Sequence, residues 1–229
     1  MPSKTKGDDP SSLGNLYLIF YNVFLTLGWL IVLIQTVHHL VHENGNITGL
    51  WENTNSVLLI FQTLAVLEIM HSAVGLVSSS VMMVLPQVFS RLMVTWAILY
   101  SFEDSRTSIG FPMLLIAWSV TEVIRYSFYF LNILKQVPFI LTFLRYTLFI
   151  GLYPLGVTGE ILCVYAALPA AAEKRTYSIS MPNALNFAFD FYYGLIIFVL
   201  LYFPVFPSLY MHMFAQRRKV LGGGHKKKE

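Results

Sequence analysis

The stretch RYTLFIGLYPLGVTGE, residues 145–160, is apolar enough to lie in a bilayer yet carries Arg145, Tyr146, Tyr153 and Glu160. An ionisable side chain at the centre of a membrane helix costs roughly 2.5–3.5 kcal/mol on insertion scales, so such groups usually face a bundle interior or a polar cavity. Tyr153 and Glu160 are seven residues apart, which puts them only ~20° apart around a helix and ~10.5 Å apart along it. They share one face. Pro154 removes a backbone donor and clashes with the carbonyl of Ile150, which predicts a kink near Tyr153. Gly151, Gly156 and Gly159 remove bulk beside that face and leave room for a neighbouring helix or a ligand. A packing face with a buried hydroxyl and an end-of-helix glutamate accounts for these residues as well as a reaction site does.

The rest of the chain has the same character. Of 229 residues, 56% are hydrophobic and only 12% charged, against roughly 25% charged in an ordinary globular protein. This composition is that of an all-α, polytopic membrane protein with no soluble domain of useful size. The single cysteine, Cys163, excludes an internal disulfide. His38, His39 and His42 lack zinc-type spacing and read as an interfacial loop, so neither a metal nor a cofactor is expected. The net charge of +3 is concentrated at Arg217, Arg218, Lys219 and Lys226–Lys228. Without interleaved aromatics, these basic residues fit a cytosolic tail against anionic lipid rather than nucleic acid.

Six apolar runs are long enough to span a bilayer: residues 16–37, 57–77, 81–100, 112–131, 139–168 and 185–211. They divide the chain into a polar tail (1–14), a six-helix transmembrane domain (15–211) and a basic tail (212–229). No cleavable signal is visible, so the first span is expected to direct its own insertion. An even number of spans places both termini on one side. Nine Lys and Arg outside the spans fall on that side and three (Arg106, Lys174, Arg175) on the other, which makes the termini cytosolic. The sequon Asn46-Ile47-Thr48 is then lumenal. Lys226 and Lys227, fourth and third from the end, match the dilysine signal for return to the endoplasmic reticulum.

Four spans carry ionisable groups: Glu68 and His71; Arg91, with Gln87 one turn before it; Glu122 and Arg125; Arg145 and Glu160. Gln87 and Arg91 are expected to point inward. Mixed charges on several helices can neutralise one another, as both a polar pocket and a structural ion-pair network require. The residues alone leave those two readings open.

Four blocks in order, Leu67-Glu68-x-x-His71, Trp118-Ser119-x-Thr121-Glu122-x-Ile124-Arg125-Tyr126-x-x-Tyr129, Leu144-Arg145-Tyr146 and Tyr153-Pro154-x-Gly156-x-x-Gly159-Glu160, resemble the (3R)-3-hydroxyacyl-CoA dehydratases of very-long-chain fatty acid elongation. The resemblance covers spans two to five. It implies a lyase of the endoplasmic reticulum membrane that converts 3-hydroxyacyl-CoA into trans-2-enoyl-CoA, with elongase and reductase enzymes as partners. It also implies Tyr153 and Glu160 as the catalytic pair, with Glu68, Gln87, Arg91, Glu122, Arg125, Arg145 and Gly156 in support. The family has been called protein-tyrosine-phosphatase-like. Here Pro169 stands six residues after Cys163, where a phosphatase loop carries arginine, so thiolate chemistry is not expected.

Dehydration requires a base for the proton on the second carbon and an acid for the hydroxyl on the third. Glu160 can donate in a dry setting or act as base beside a cation. Tyr153 acts as base only with Arg145 or Arg125 beside it, and otherwise as acid or as donor to the thioester oxygen. The order stays open at this level. The arginines would hold CoA phosphates or carboxylates, and the acyl chain would lie in a tunnel of Phe, Leu and Ile. A proton-coupled transporter or a non-catalytic scaffold of the elongation machinery would use the same buried charges. The depth of the pair is a difficulty for any cytosolic substrate: on one continuous span from Pro138, Tyr153 lies ~22 Å and Glu160 ~33 Å into the membrane.

Overall fold

The computed structural model describes residues 12–182, 184 and 186–222. The dilysine residues and most of the N-terminal tail lie outside the described residues. Six helical stretches are long and apolar enough to cross a membrane, and they form one helical bundle. The first is α1, Leu13–His42, capped by the Ser12 hydroxyl accepting from the Asn15 N–H. It runs five residues beyond the expected end, so His38, His39 and His42 close the helix rather than occupy a loop. His39 is buried there, with Nδ1 2.8 Å from Asn53 Nδ2.

The second crossing is made of α2, Leu50–Leu64, and α3, Val66–Ala73. They join at Ala65, whose N–H reaches back only three residues to Gln62. The Tyr21 hydroxyl of α1 donates to the Leu64 carbonyl at this junction (3.0 Å). The third crossing, α4, Val81–Leu92, passes into a π-helical stretch, Met93–Tyr100. Its end is closed by Arg106, in the single turn α5, Glu103–Arg106, which donates to the Leu99 and Tyr100 carbonyls and lies over Trp51. This satisfies acceptors that a helix end leaves unpaired.

Helix α6, Gly110–Ile133, is central, packing against α1 on one side and α8 on the other. The long fifth span expected from residue 139 is in fact two helices, α7, Phe139–Arg145, and α8, Phe149–Lys174, separated by a turn at Tyr146–Leu148. Helix α8 continues through Pro154. The proline leaves the Ile150 carbonyl without its helical donor, and the Tyr210 hydroxyl donates to it instead (2.9 Å). Tyr210 belongs to α9, Phe191–Leu221, which is capped by Asp190 and runs antiparallel to α8. This last helix extends ten residues past the expected end at residue 211. It buries only Phe191 and Leu195.

Helices α6 and α8 cross in backbone contact. A Cβ on Gly110 would lie 2.5 Å from the Gly159 carbonyl oxygen, and one on Gly159 would lie 2.7 Å from that of Gly110. One turn earlier on α8, a Cβ on Gly156 would meet Ala117 at 3.3 Å. Two of the three glycines beside Glu160 thus admit a neighbouring helix, whereas Gly151 has open space beside it.

Candidate active site

The close crossing at Gly159 carries the next residue, Glu160, into the bundle against α6. Its side chain is buried and both oxygens are occupied. Trp118 Nε1 donates to Oε1 at 2.8 Å, and the Tyr202 hydroxyl of α9 donates to Oε2. Indole is a donor only, so Oε1 must be an acceptor. The carboxyl group is therefore locked between α6 and α9 in one orientation, as a group that accepts hydrogen bonds.

Tyr153, two turns nearer the α8 N-terminus, is held differently. Its ring stacks on Phe206 (centroids 5.5 Å apart, planes at 17°) and Tyr210 (6.3 Å, 9°) of α9. Among the described residues its hydroxyl makes no hydrogen bond. It interacts electrostatically with Arg91 and Glu160. The cation near the pair is therefore Arg91, not Arg145 or Arg125. Because α8 starts at Phe149, Tyr153 stands ~6 Å and Glu160 ~16 Å along it, so a count from Pro138 along one continuous helix does not measure their position.

Beside this pair lies a closed ion-pair network. Arg125 reaches Glu68 through two parallel bonds (Nη1–Oε2 2.8 Å, Nη2–Oε1 2.7 Å) and Glu122 through Nε (2.6 Å). The other Glu122 oxygen takes Arg91, and the Tyr126 hydroxyl donates to Glu68. Two carboxylates and two guanidinium groups thus neutralise one another across α3, α4 and α6, as charges at membrane depth require. The network reaches the surroundings of Glu160 through Arg91, whose guanidinium lies 5.5 Å from the Trp118 ring. His71 stands at the far edge, with Nε2 2.9 Å from the Tyr17 hydroxyl. Of the two readings that the sequence left open, the ion-pair network is present in Glu68, Arg91, Glu122 and Arg125.

The remaining expected residues fall elsewhere. Gln87 is exposed and does not reach inward with Arg91: on α4 only Val88 is buried, and the inward direction is taken by Val88 and Arg91, three apart. Arg145 ends α7 among the rings of Phe128, Tyr129 and Tyr146, at 4.4, 4.7 and 5.7 Å, and its Nη1 is buried without a partner. Gly156 packs against Ala117 of α6. Cys163 is fully buried at the α6 crossing, closed to a substrate. Among the contributors missed are Trp118, Tyr202 and Tyr210. For the two tyrosines the signal was present: Tyr202, Phe206 and Tyr210 recur every four residues along an apolar run, and a hydroxyl there needs a partner.

A family model described as protein tyrosine phosphatase-like protein, PTPLA, matches residues 62–223. The chain belongs to the PTPLA family. Among the relatives of this PTPLA chain is the very-long-chain (3R)-3-hydroxyacyl-CoA dehydratase hpo-8 of Caenorhabditis elegans, 51% identical over 93% of this chain and 98% of the relative. The human very-long-chain (3R)-3-hydroxyacyl-CoA dehydratase 2 is 44% identical over 91% of this chain and 82% of its own. The enzyme named PASTICCINO 2 in Arabidopsis thaliana is 42% identical over 92% and 95%. No solved structure matches the chain.

Proposed function

We propose that this PTPLA-family protein is a hydro-lyase that removes water from (3R)-3-hydroxyacyl-CoA to give trans-2-enoyl-CoA, the third step of very-long-chain fatty acid elongation. The observation that carries the mechanism is the contrast between the two groups. Glu160 is fixed as an acceptor by Trp118 and Tyr202, whereas the Tyr153 phenol is positioned by stacking with its hydroxyl unengaged. Glu160 takes the proton from the second carbon. The carbon–oxygen bond at the third carbon breaks, and the hydroxyl leaves as water with the proton of Tyr153. Proton return from Glu160 to Tyr153 restores the enzyme. Burial within the bundle keeps the acid and the base out of bulk water, and electrostatic interactions are stronger in that low-dielectric setting.

The arginines divide between the two roles that the sequence allowed. Arg91 and Arg125 hold carboxylates. Arg145 Nη1 and Arg217 Nε, both buried and without a partner among the described residues, serve the phosphates of CoA. Both lie at one end of the bundle: Phe149 follows Arg145 by four residues and packs on Phe214 (5.1 Å), three residues before Arg217. This is the end with the basic C-terminal cluster, and we place it in the cytosol, where CoA esters are found. An endoplasmic reticulum address rests on Lys226 and Lys227, and association with elongase and reductase on the chemistry, since they supply and consume the intermediates. The test is purified protein in lipid with 3-hydroxyacyl-CoA. Enoyl-CoA formation supports the reading, and its absence in folded protein contradicts it.

A further inference from the structure

Resting on the dehydratase reading, we propose that the substrate's acyl tail lies in the apolar groove between α9 and the wall formed by α4 and its π-helical continuation, and that Gly194 with Phe189 marks the groove's far end. The groove encloses about 300 Å³. Phe89 and Met93 line one side of it, and Gly194, Ile197, Phe198 and Leu201 line the other.

Residues of both walls adjoin the groups that hold Glu160. On α9, the ring of Phe198 meets that of Tyr202 edge-on at 5.3 Å, and Tyr202 donates to Glu160. On the facing wall, Arg91 stands between Phe89 and Met93 in sequence and lies over Trp118, the other donor to Glu160. The alternatives are closed or taken. Toward α6 the backbones of Gly110 and Gly159 touch. Toward the basic end, the stack of Tyr153, Phe206 and Tyr210 leads to Arg145 and Arg217 and suits the thioester and CoA. The tail leaves the third carbon in the opposite direction, along the groove.

From Leu201 to Gly194 the groove follows α9 for ~10 Å. At its end Phe189 crowds Gly194, where a Cβ would meet the Phe189 ring at 3.1 Å. A tail drawn from lipid gains little by entering an apolar groove, so the groove selects by shape rather than by affinity.

The variant Ile197→Trp fills the groove without touching Glu160, Tyr153 or their partners. It is expected to lower kcat/KM at least about tenfold for a palmitoyl-length 3-hydroxyacyl-CoA, while a butyryl-length ester, too short to reach residue 197, keeps its rate and reports an intact fold. Equal losses on both esters, or no loss on either, overturn the proposal. In parallel, a palmitoyl-length 3-hydroxyacyl-CoA with a diazirine midway along its chain should label peptides carrying Phe89, Met93, Ile197 or Phe198, with protection by the unmodified ester. Labelling elsewhere, or labelling of those peptides that the unmodified ester does not prevent, assigns the groove to membrane lipid and overturns it. Wild-type protein that dehydrates neither ester contradicts the dehydratase reading itself.

Discussion

The Trp118 indole N–H donates to Glu160 Oε1 at 2.8 Å across forty-two positions of sequence, from α6 to α8. With the Tyr202 hydroxyl on the other oxygen, it fixes the carboxyl group on two sides. Trp118→Phe and Tyr202→Phe keep most of the ring packing and remove one donor each. A misdirected base can cost about a hundredfold in rate, so kcat is expected to fall ten- to a hundredfold in each variant with KM nearly unchanged. Steady-state kinetics on the two single variants and the double variant check this, and the losses should be non-additive because both act on one carboxyl group.

Arg125 holds Glu68 and Glu122 at once. Replacing it by alanine leaves two carboxylates at membrane depth with one guanidinium between them. Removing one partner of a buried pair typically costs about 3–5 kcal/mol. Thermal unfolding in detergent should show a large drop for Arg125→Ala, and a smaller one when Glu68→Gln accompanies it.

The Ile150 carbonyl accepts from Tyr210 because Pro154 has no N–H to offer. Tyr210→Phe strands that acceptor and should destabilise the protein by about 1–3 kcal/mol. Pro154→Ala restores the helical donor, so the penalty of Tyr210→Phe should shrink in the Pro154→Ala background. A double-mutant cycle on unfolding free energies measures it.

If Arg145 and Arg217 engage the phosphates of CoA, then Arg145→Gln and Arg217→Gln raise KM for the CoA ester severalfold and leave kcat close to wild type. The same variants should handle a 3-hydroxyacyl-pantetheine thioester, which lacks the adenosine phosphates, as wild type does. Parallel KM measurements on the two substrates decide it.

The apolar runs were legible because any crossing must satisfy its own backbone, and helices of that length are the simplest solution. The placement of Glu160 inside the bundle was legible from the cost of a carboxyl group in lipid. What faces what was not. Lipid is as apolar as a helix–helix interface, so periodicity marks the core weakly, and Gln87 and Arg91, one turn apart, part ways with no local signal. Arg125 with Glu68, and Glu160 with Trp118 and Tyr202, are tertiary contacts across 57 and 42 positions. The break at Tyr146–Leu148 carries neither Gly nor Pro, whereas α8 runs through Pro154, where a kink was expected, with α9 supplying a donor to the Ile150 carbonyl.

The most direct test is turnover of 3-hydroxyacyl-CoA by Tyr153→Phe and Glu160→Gln in lipid, with folding verified by an unchanged unfolding midpoint. The account predicts that each folded variant loses enoyl-CoA formation by about a hundredfold or more, with substrate still bound. Near-normal dehydration by either variant would contradict it and remove that residue from the acid–base pair.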